Sequence, residues 1–148
     1  MRPLRDSRAA RALPPLLIVF AAYELVTGLL LWLAPDYFFL HVGPYDGIRN
    51  EHYMADNGGW YLALAAGTAV AVARPRWRVP VLAVSLIQNM LHLLSHLLDV
   101  RESDPGWHGP LDATLLVASA VLLAWMLAAA MRTAAASWVT TAPLEDRP

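Results

Sequence analysis

The chain has 148 residues, 57% of them hydrophobic, with a formal net charge of -1 and no cysteine. That length suits one domain, and a mean hydropathy of +0.42 points to a bilayer rather than an aqueous core. All basic residues are arginines in local clusters, which gives nucleic-acid binding no support, and without thiols any metal would take nitrogen and oxygen ligands.

The expected fold is all-α: a polytopic membrane protein built as a four-transmembrane-helix bundle, with spans near residues 13–34, 51–73, 79–99 and 111–131. Residues 1–12 carry Arg2, Arg5, Arg8 and Arg11 against Asp6, and read as a cytoplasmic arm attracted to anionic headgroups. The apolar run from Leu13 to Ala34 is too long for a signal-peptide core and ends in Ala-Pro-Asp without a cleavage pattern. It reads as a retained first span, with Pro14 and Pro15 in its first turn. Glu24 then lies roughly 16 Å along the helix, near the middle of the hydrocarbon, where a carboxyl is either a functional group or interhelical glue.

Pro35 to Asn50 is expected to lie along the membrane surface as a lid, with Tyr37, Phe38, Phe39 and Tyr45 as an aromatic belt and turns at Gly43-Pro44 and Asp46-Gly47. His41 there reads as interfacial rather than as a ligand. The second helix opens with Glu51, His52, Asp56 and Asn57, either a capped, wet helix start or part of a site. Gly59, Ala63 and Gly67 repeat every four residues below them, with Gly58, Ala66 and Ala71 as small neighbours, and predict a close helix contact. Arg74, Arg76 and Arg78 mark a cytoplasmic turn, so both termini are expected inside, in a bacterial cytoplasmic membrane. Absent lysine with abundant Ala, Leu, Val and Arg fits a GC-rich bacterial genome.

The third helix carries the strongest pattern. Ser85, Gln88, Asn89, His92, Ser95, His96 and Asp99 follow one another by three or four residues on one face, and Val84, Leu86, Ile87, Met90, Leu91, Leu93, Leu94, Leu97 and Leu98 form the other. Val100 to Pro110 is an acidic outer loop, and Asp112 falls in the first turn of the fourth helix, with Ser119 two turns on. Arg132 closes that helix, and residues 132–148 are expected as a mobile cytoplasmic tail.

Comparing depths, Glu24 and Asn89 sit near the midplane, His92 roughly 5 Å and His96 roughly 11 Å further out. The expected object is an outward-opening polar cavity lined by Glu24, His52, Asp56, Asn89, His92, His96 and Asp112. Histidines at i and i+4 hold a divalent ion such as Zn, Fe or Mn when carboxylates complete the shell; the expected ligands are His92, His96, Asp56 and Glu51, or Glu24. HLLSH lacks the glutamate of HExxH proteases, and bis-histidine haem would need His52 or His41 opposite the third helix. Without metal, Glu24, Asp56 and His92 make an acid/base set suited to a lipophilic small molecule, with His52, Asn89 and Asp112 contacting it and Asn89 orienting it. The competing readings are a non-catalytic module that binds lipid or quinone or handles protons, and a network that only fixes helix register. Membrane lipid is the expected surrounding partner, and a homo-oligomer is compatible with either.

RNEHYMADNGGWYLAL at Arg49 to Leu64 and NMLHLLSH at Asn89 to His96 resemble small, loosely DoxX-like four-helix membrane proteins of actinobacteria. The shared elements are Asn50, Glu51 and His52, then Asp56 and Gly58, then His92 and His96. Where that group has arginine before the aspartate this chain has Ala55. The resemblance implies the four-helix membrane fold but carries no activity with it.

Overall fold

A computed structural model describes residues 8–43 and 49–141, with side chains described as far as residue 135. Residues 1–7 and 142–148, and Pro44 to Ile48, lie outside the described residues; with them lie Arg2, Arg5, Tyr45 and the Asp46-Gly47 turn. Everything described is helix and connection, without strands. The helices are α1 (Arg8–Leu33), α2 (Pro35–His41), α3 (Glu51–Ala73), α4 (Arg78–Leu98) and α5 (His108–Thr141), with one 3-10 turn at Pro75–Trp77.

Three helical stretches among the described residues are long and apolar enough to cross a membrane: Arg8–Leu33, Pro75–Leu98 and His108–Ala135. Only 22% of the most apolar 18 residues within Pro75–Leu98 are buried within the protein. Of the expected apolar face of α4, Val84, Ile87, Met90, Leu91, Leu94, Leu97 and Leu98 are exposed, whereas Leu93 is buried and Leu86 packs against the core; Ile18, Val19, Val26 and Leu29 on α1 and Leu115, Val117 and Val121 on α5 are exposed too. In water such a belt would drive aggregation; against lipid it is the natural surface, so the chain associates with a membrane. The α3 helix has 23 residues but is not among the three, because its first two turns carry Glu51, His52, Asp56 and Asn57.

The long helices close on one another, α1 along α3, α4 along α5, α3 on α4 and α1 on α5. Their directions follow from one apolar cluster, in which Leu13 and Leu17 from the start of α1 meet Ala71 from the end of α3. Val81 and Leu82 from the start of α4, and Leu123, Met126, Ala129 and Ala130 from the later part of α5, complete it. The interior at that end of the protein is therefore apolar. At the opposite end Leu31, Met54 and Tyr61 pack with Phe38 and Phe39 of α2, so the segment after α1 folds a short helix onto the ends of α1 and α3. Arg49 pairs with both Asp36 and Glu51, tying α2 to the start of α3.

The α1–α3 contact is a glycine crossing. A Cβ on Gly28 would come within 3.0 Å of the Gly58 carbonyl, and one on Gly58 within 3.0 Å of the Gly28 carbonyl, so the two backbones touch where only hydrogen atoms fit. Of the expected small residues, Gly58 and Ala71 are the ones buried, not the Gly59, Ala63 and Gly67 repeat. Ala63 is exposed, and an added Cβ at Gly59 or Gly67 would meet only ordinary contacts at 3.6 Å. The packed face is instead Met54, Gly58, Tyr61, Ala65, Thr68 and Ala71, about 100° round the helix per residue from the expected one.

Several boundaries move outward. The α1 helix begins at Arg8, which puts Pro14 and Pro15 in its second turn. The α5 helix begins at His108, because Pro110 in the first turn sacrifices no intrahelical bond and the buried Ser103 hydroxyl accepts from the Gly109 N–H at 2.8 Å. The same helix continues to Thr141, so residues 132–141 are helical where a mobile tail was expected.

Candidate functional site

The polar stripe of α4 meets a different partner at each turn. Ser85 and Asn89 are buried, and Ser85 lies beside Glu24 of α1. Gln88 faces Tyr61 of α3, whose ring stands edge-on to Tyr23 at 6.4 Å. The Asn89 amide donates to Ser119 Oγ of α5 at 3.1 Å. His92 and His96 stack edge to face with ring centroids 4.6 Å apart, the contact that i, i+4 spacing on one helix produces. The stripe therefore has company on α1, α3 and α5.

The terminal part of this stripe is the candidate site. His96 Nδ1 lies 3.9 Å from Asp112 Oδ2, and His108 Nδ1 lies 3.1 Å from the same oxygen. The three side chains are largely buried, at 15%, 22% and 12% exposure. His108 comes into range only because α5 starts one turn before Asp112, placing the two at i and i+4. Sequence reasoning missed it by assigning His108 to a loop ended by Pro110. With Nδ1 of both rings turned toward one carboxylate, the Nε2 atoms stand on the far sides of the rings, an arrangement that orients imidazoles as proton donors and acceptors.

Glu24 is a separate buried group. Thr68 Oγ1 donates to its Oε2 at 2.7 Å, and both side chains are 1% exposed. Its partners, Thr68 and Ser85, are hydroxyls from the half expected to be plain, while the histidines lie further along α4.

The α3 acids belong elsewhere. Asn50 Oδ1 caps the helix by accepting the Tyr53 N–H at 3.0 Å, Glu51 pairs with Arg49, and His52 Nε2 stands 3.4 Å from Asp56 Oδ2 with both side chains largely exposed. The Asn-Glu-His element thus forms a capped, wet helix start. Of the residues expected to line one cavity, the structure brings together His92, His96 and Asp112, with Asn89 one turn below, and adds His108. It brings Glu24 to Thr68 and Ser85, and leaves His52 and Asp56 as a pair on the surface. Among the described residues no three His, Asp or Glu side chains stand so as to hold a metal ion, and the expected ligands His92 and His96 are grouped with α5 while Asp56 and Glu51 are paired on α3.

Arg78 is the other residue whose role was not legible. Its Nε donates to the Ala71 carbonyl at 3.2 Å and an Nη to that of Val72 at 3.5 Å, closing the last turn of α3.

No protein-family model, no curated protein and no solved structure matches this chain.

Proposed function

We propose that the chain is a four-helix integral membrane protein whose His92–His96–His108–Asp112 group performs acid/base chemistry on a lipophilic small molecule. The observation that carries this is the convergence of His96 and His108 on Asp112 across the α4–α5 interface, largely buried, directly beside the exposed apolar face of α4. A molecule dissolved in the bilayer reaches such a site from the side, and paired imidazoles take and return its protons.

The reading of α3 as a fourth span rests on connectivity. The end of α3 shares an apolar cluster with the start of α1 and the start of α4, and its own start is tied to α2, beyond the other end of α1. A helix anchored at both ends of α1 crosses whatever α1 crosses. The Arg74, Arg76 and Arg78 turn then lies on the cytoplasmic side, with both termini. The four-helix arrangement is also what the resemblance to loosely DoxX-like proteins implies.

The test uses protein in lipid nanodiscs in D2O, with a β,γ-unsaturated bicyclic ketone as probe for a double-bond shift. Removal of the proton next to the carbonyl, deuterium delivery to the γ carbon and the ultraviolet band of the conjugated product should appear, and all should disappear in His96→Ala and Asp112→Asn with helicity retained. Rates no higher than in empty nanodiscs would remove double-bond isomerisation. The second reading, proton handling without turnover, is favoured by the unbroken succession of partners along the α4 stripe from Ser85 to His96. It predicts the same two variants to abolish proton uptake in response to an imposed pH step. Elemental analysis of wild type against a His92→Ala/His96→Ala variant tests for a divalent ion in the same group.

A further inference from the structure

The directions of the long helices gather arginines from separate parts of the chain at one end. The apolar cluster there takes Leu13 from the start of α1, Ala71 from the end of α3, Val81 from the start of α4 and Ala130 from the later part of α5. Arg11, Arg74, Arg78 and Arg132 lie two or three residues beyond these, roughly 3–5 Å of helical rise. Arg8 stands at the start of α1, and Arg76 in the middle of the 3-10 turn. Headgroup attraction, expected of the N-terminal arm alone, is extended by the fold to the α3–α4 turn and Arg132.

No acid shares that layer among the described residues. Apart from the buried Glu24, their acids lie at the opposite end, from Asp36 at the start of α2 to Asp112 near the start of α5, a helix length of roughly 30 Å away. None of the six arginines forms an ion pair among the described residues. Arg78 has its Nε and an Nη engaged by the Ala71 and Val72 carbonyls. Arg8, Arg11, Arg74, Arg76 and Arg132 are exposed. Like charges crowded at one level repel one another until anions join them.

The level of the layer selects the anion. It stands at the margin of the apolar spans Arg8–Leu33, Pro75–Leu98 and His108–Ala135, and Trp77 in the same turn is 44% exposed, an amphipathic ring suited to the headgroup region. Lipid phosphates lie at that depth, and the planar fork of a guanidinium binds two phosphate oxygens at once. We infer that this end of the bundle binds the headgroups of anionic phospholipids, with Arg11, Arg74, Arg76 and Arg132 as the phosphate ligands and Arg8 at the rim. Arg78 adds its charge while it closes α3. The surface is independent of the histidine group and of any reaction there.

The test reconstitutes the full chain in phosphatidylcholine membranes and compares the protein-bound fraction of spin-labelled phosphatidylglycerol with that of spin-labelled phosphatidylcholine of the same chains. Phosphatidylglycerol should associate about fivefold more strongly, the ratio that one arginine near a lipid phosphate supplies. Arg11→Gln/Arg132→Gln and Arg74→Gln/Arg76→Gln should each at least halve that preference, and Arg76→Gln alone, a single exposed change expected to fold, should lower it in the same direction. Arg101→Gln, which removes an exposed arginine at the opposite end, should leave it unchanged. In 1 M KCl, where the screening length falls to about 3 Å, part of the preference should persist because the contacts are direct. Equal association of the two lipids overturns the inference, and so does a preference that survives both double substitutions. A preference abolished by 1 M KCl, or lowered as much by Arg101→Gln, is the diffuse attraction of a basic surface and overturns it too.

Discussion

Thr68 Oγ1 donates a 2.7 Å hydrogen bond to Glu24 Oε2 across the α1–α3 interface, and neither side chain reaches the surface. Thr68→Val keeps the shape and deletes the donor, so it should destabilise the protein by about 1–2 kcal/mol by leaving the carboxyl short of a partner. Thr68→Ser should stay within about 0.5 kcal/mol of wild type. In a double-mutant cycle with Glu24→Gln the coupling should be on the order of 1 kcal/mol, the usual scale for interhelical polar contacts in a bilayer. Reversible unfolding in mixed detergent micelles reads all three. Simple additivity would show that the bond contributes nothing beyond its parts.

The glycine crossing makes a sharper demand. At Gly58 an added methyl group meets the Gly28 carbonyl at 3.0 Å, Leu31 Cβ at 3.1 Å and the Trp32 nitrogen at 3.2 Å, none of which is the free end of a side chain. Gly58→Ala should therefore cost about 1–3 kcal/mol by prising α1 from α3. Gly59→Ala, whose new Cβ meets only Trp32 at 3.6 Å, should be neutral or slightly stabilising through its better helix propensity. Equal losses at the two positions would put the contact on the wrong face.

Those glycines also show where sequence reading stops. Small residues occur on two faces of α3, and spacing alone favours Gly59, Ala63 and Gly67. The choice of Gly58 depends on Gly28 arriving opposite it, which is a property of two helices at once. The α4 stripe was legible because seven polar residues at helical spacing on one apolar segment leave little freedom, and the mid-helix depth of Glu24 follows from counting. What α4 meets was not legible. Thr68, Ser85 and Ser119 are ordinary hydroxyls in sequence and become specific only when a carboxyl or carboxamide faces them. His108 was hidden by Pro110, since a proline reads as a loop end until a cap such as Ser103 shows that it lies in a helix's first turn.

Arg78 was read only as a topology signal, yet it binds two carbonyls of the turn that ends α3. Arg78→Gln should lower stability by about 1–2 kcal/mol, since a charged donor to buried carbonyls contributes more than a neutral one. Arg76→Gln, at an exposed position in the same turn, should change it by no more than about 0.5 kcal/mol. Unfolding of the two variants side by side separates the loss of positive charge in the turn, which both cause, from loss of the cap, which only one causes.

The His52–Asp56 pair and the His96–His108–Asp112 group give opposite expectations although both contain residues with metal-ligand chemistry. His52 and Asp56 are 3.4 Å apart on one exposed turn, where an i, i+4 ion pair contributes at most about 0.5 kcal/mol and is screened by salt. His52→Ala and Asp56→Asn should therefore leave stability nearly unchanged, along with the imidazole nitrogen resonances of His96 and His108. Asp112 faces both of those rings and is itself largely buried, so Asp112→Asn should cost about 1–3 kcal/mol and move the nitrogen resonances of both histidines together. Nitrogen-15 spectra of histidine-labelled protein in nanodiscs measure this directly. Movement of the His96 resonance in Asp56→Asn would join α3 to the site and restore the single cavity expected from helix depth. Movement in Asp112→Asn alone would confine the histidine group to α4 and α5, with Asp112 as the residue that sets which nitrogen of each ring carries the proton.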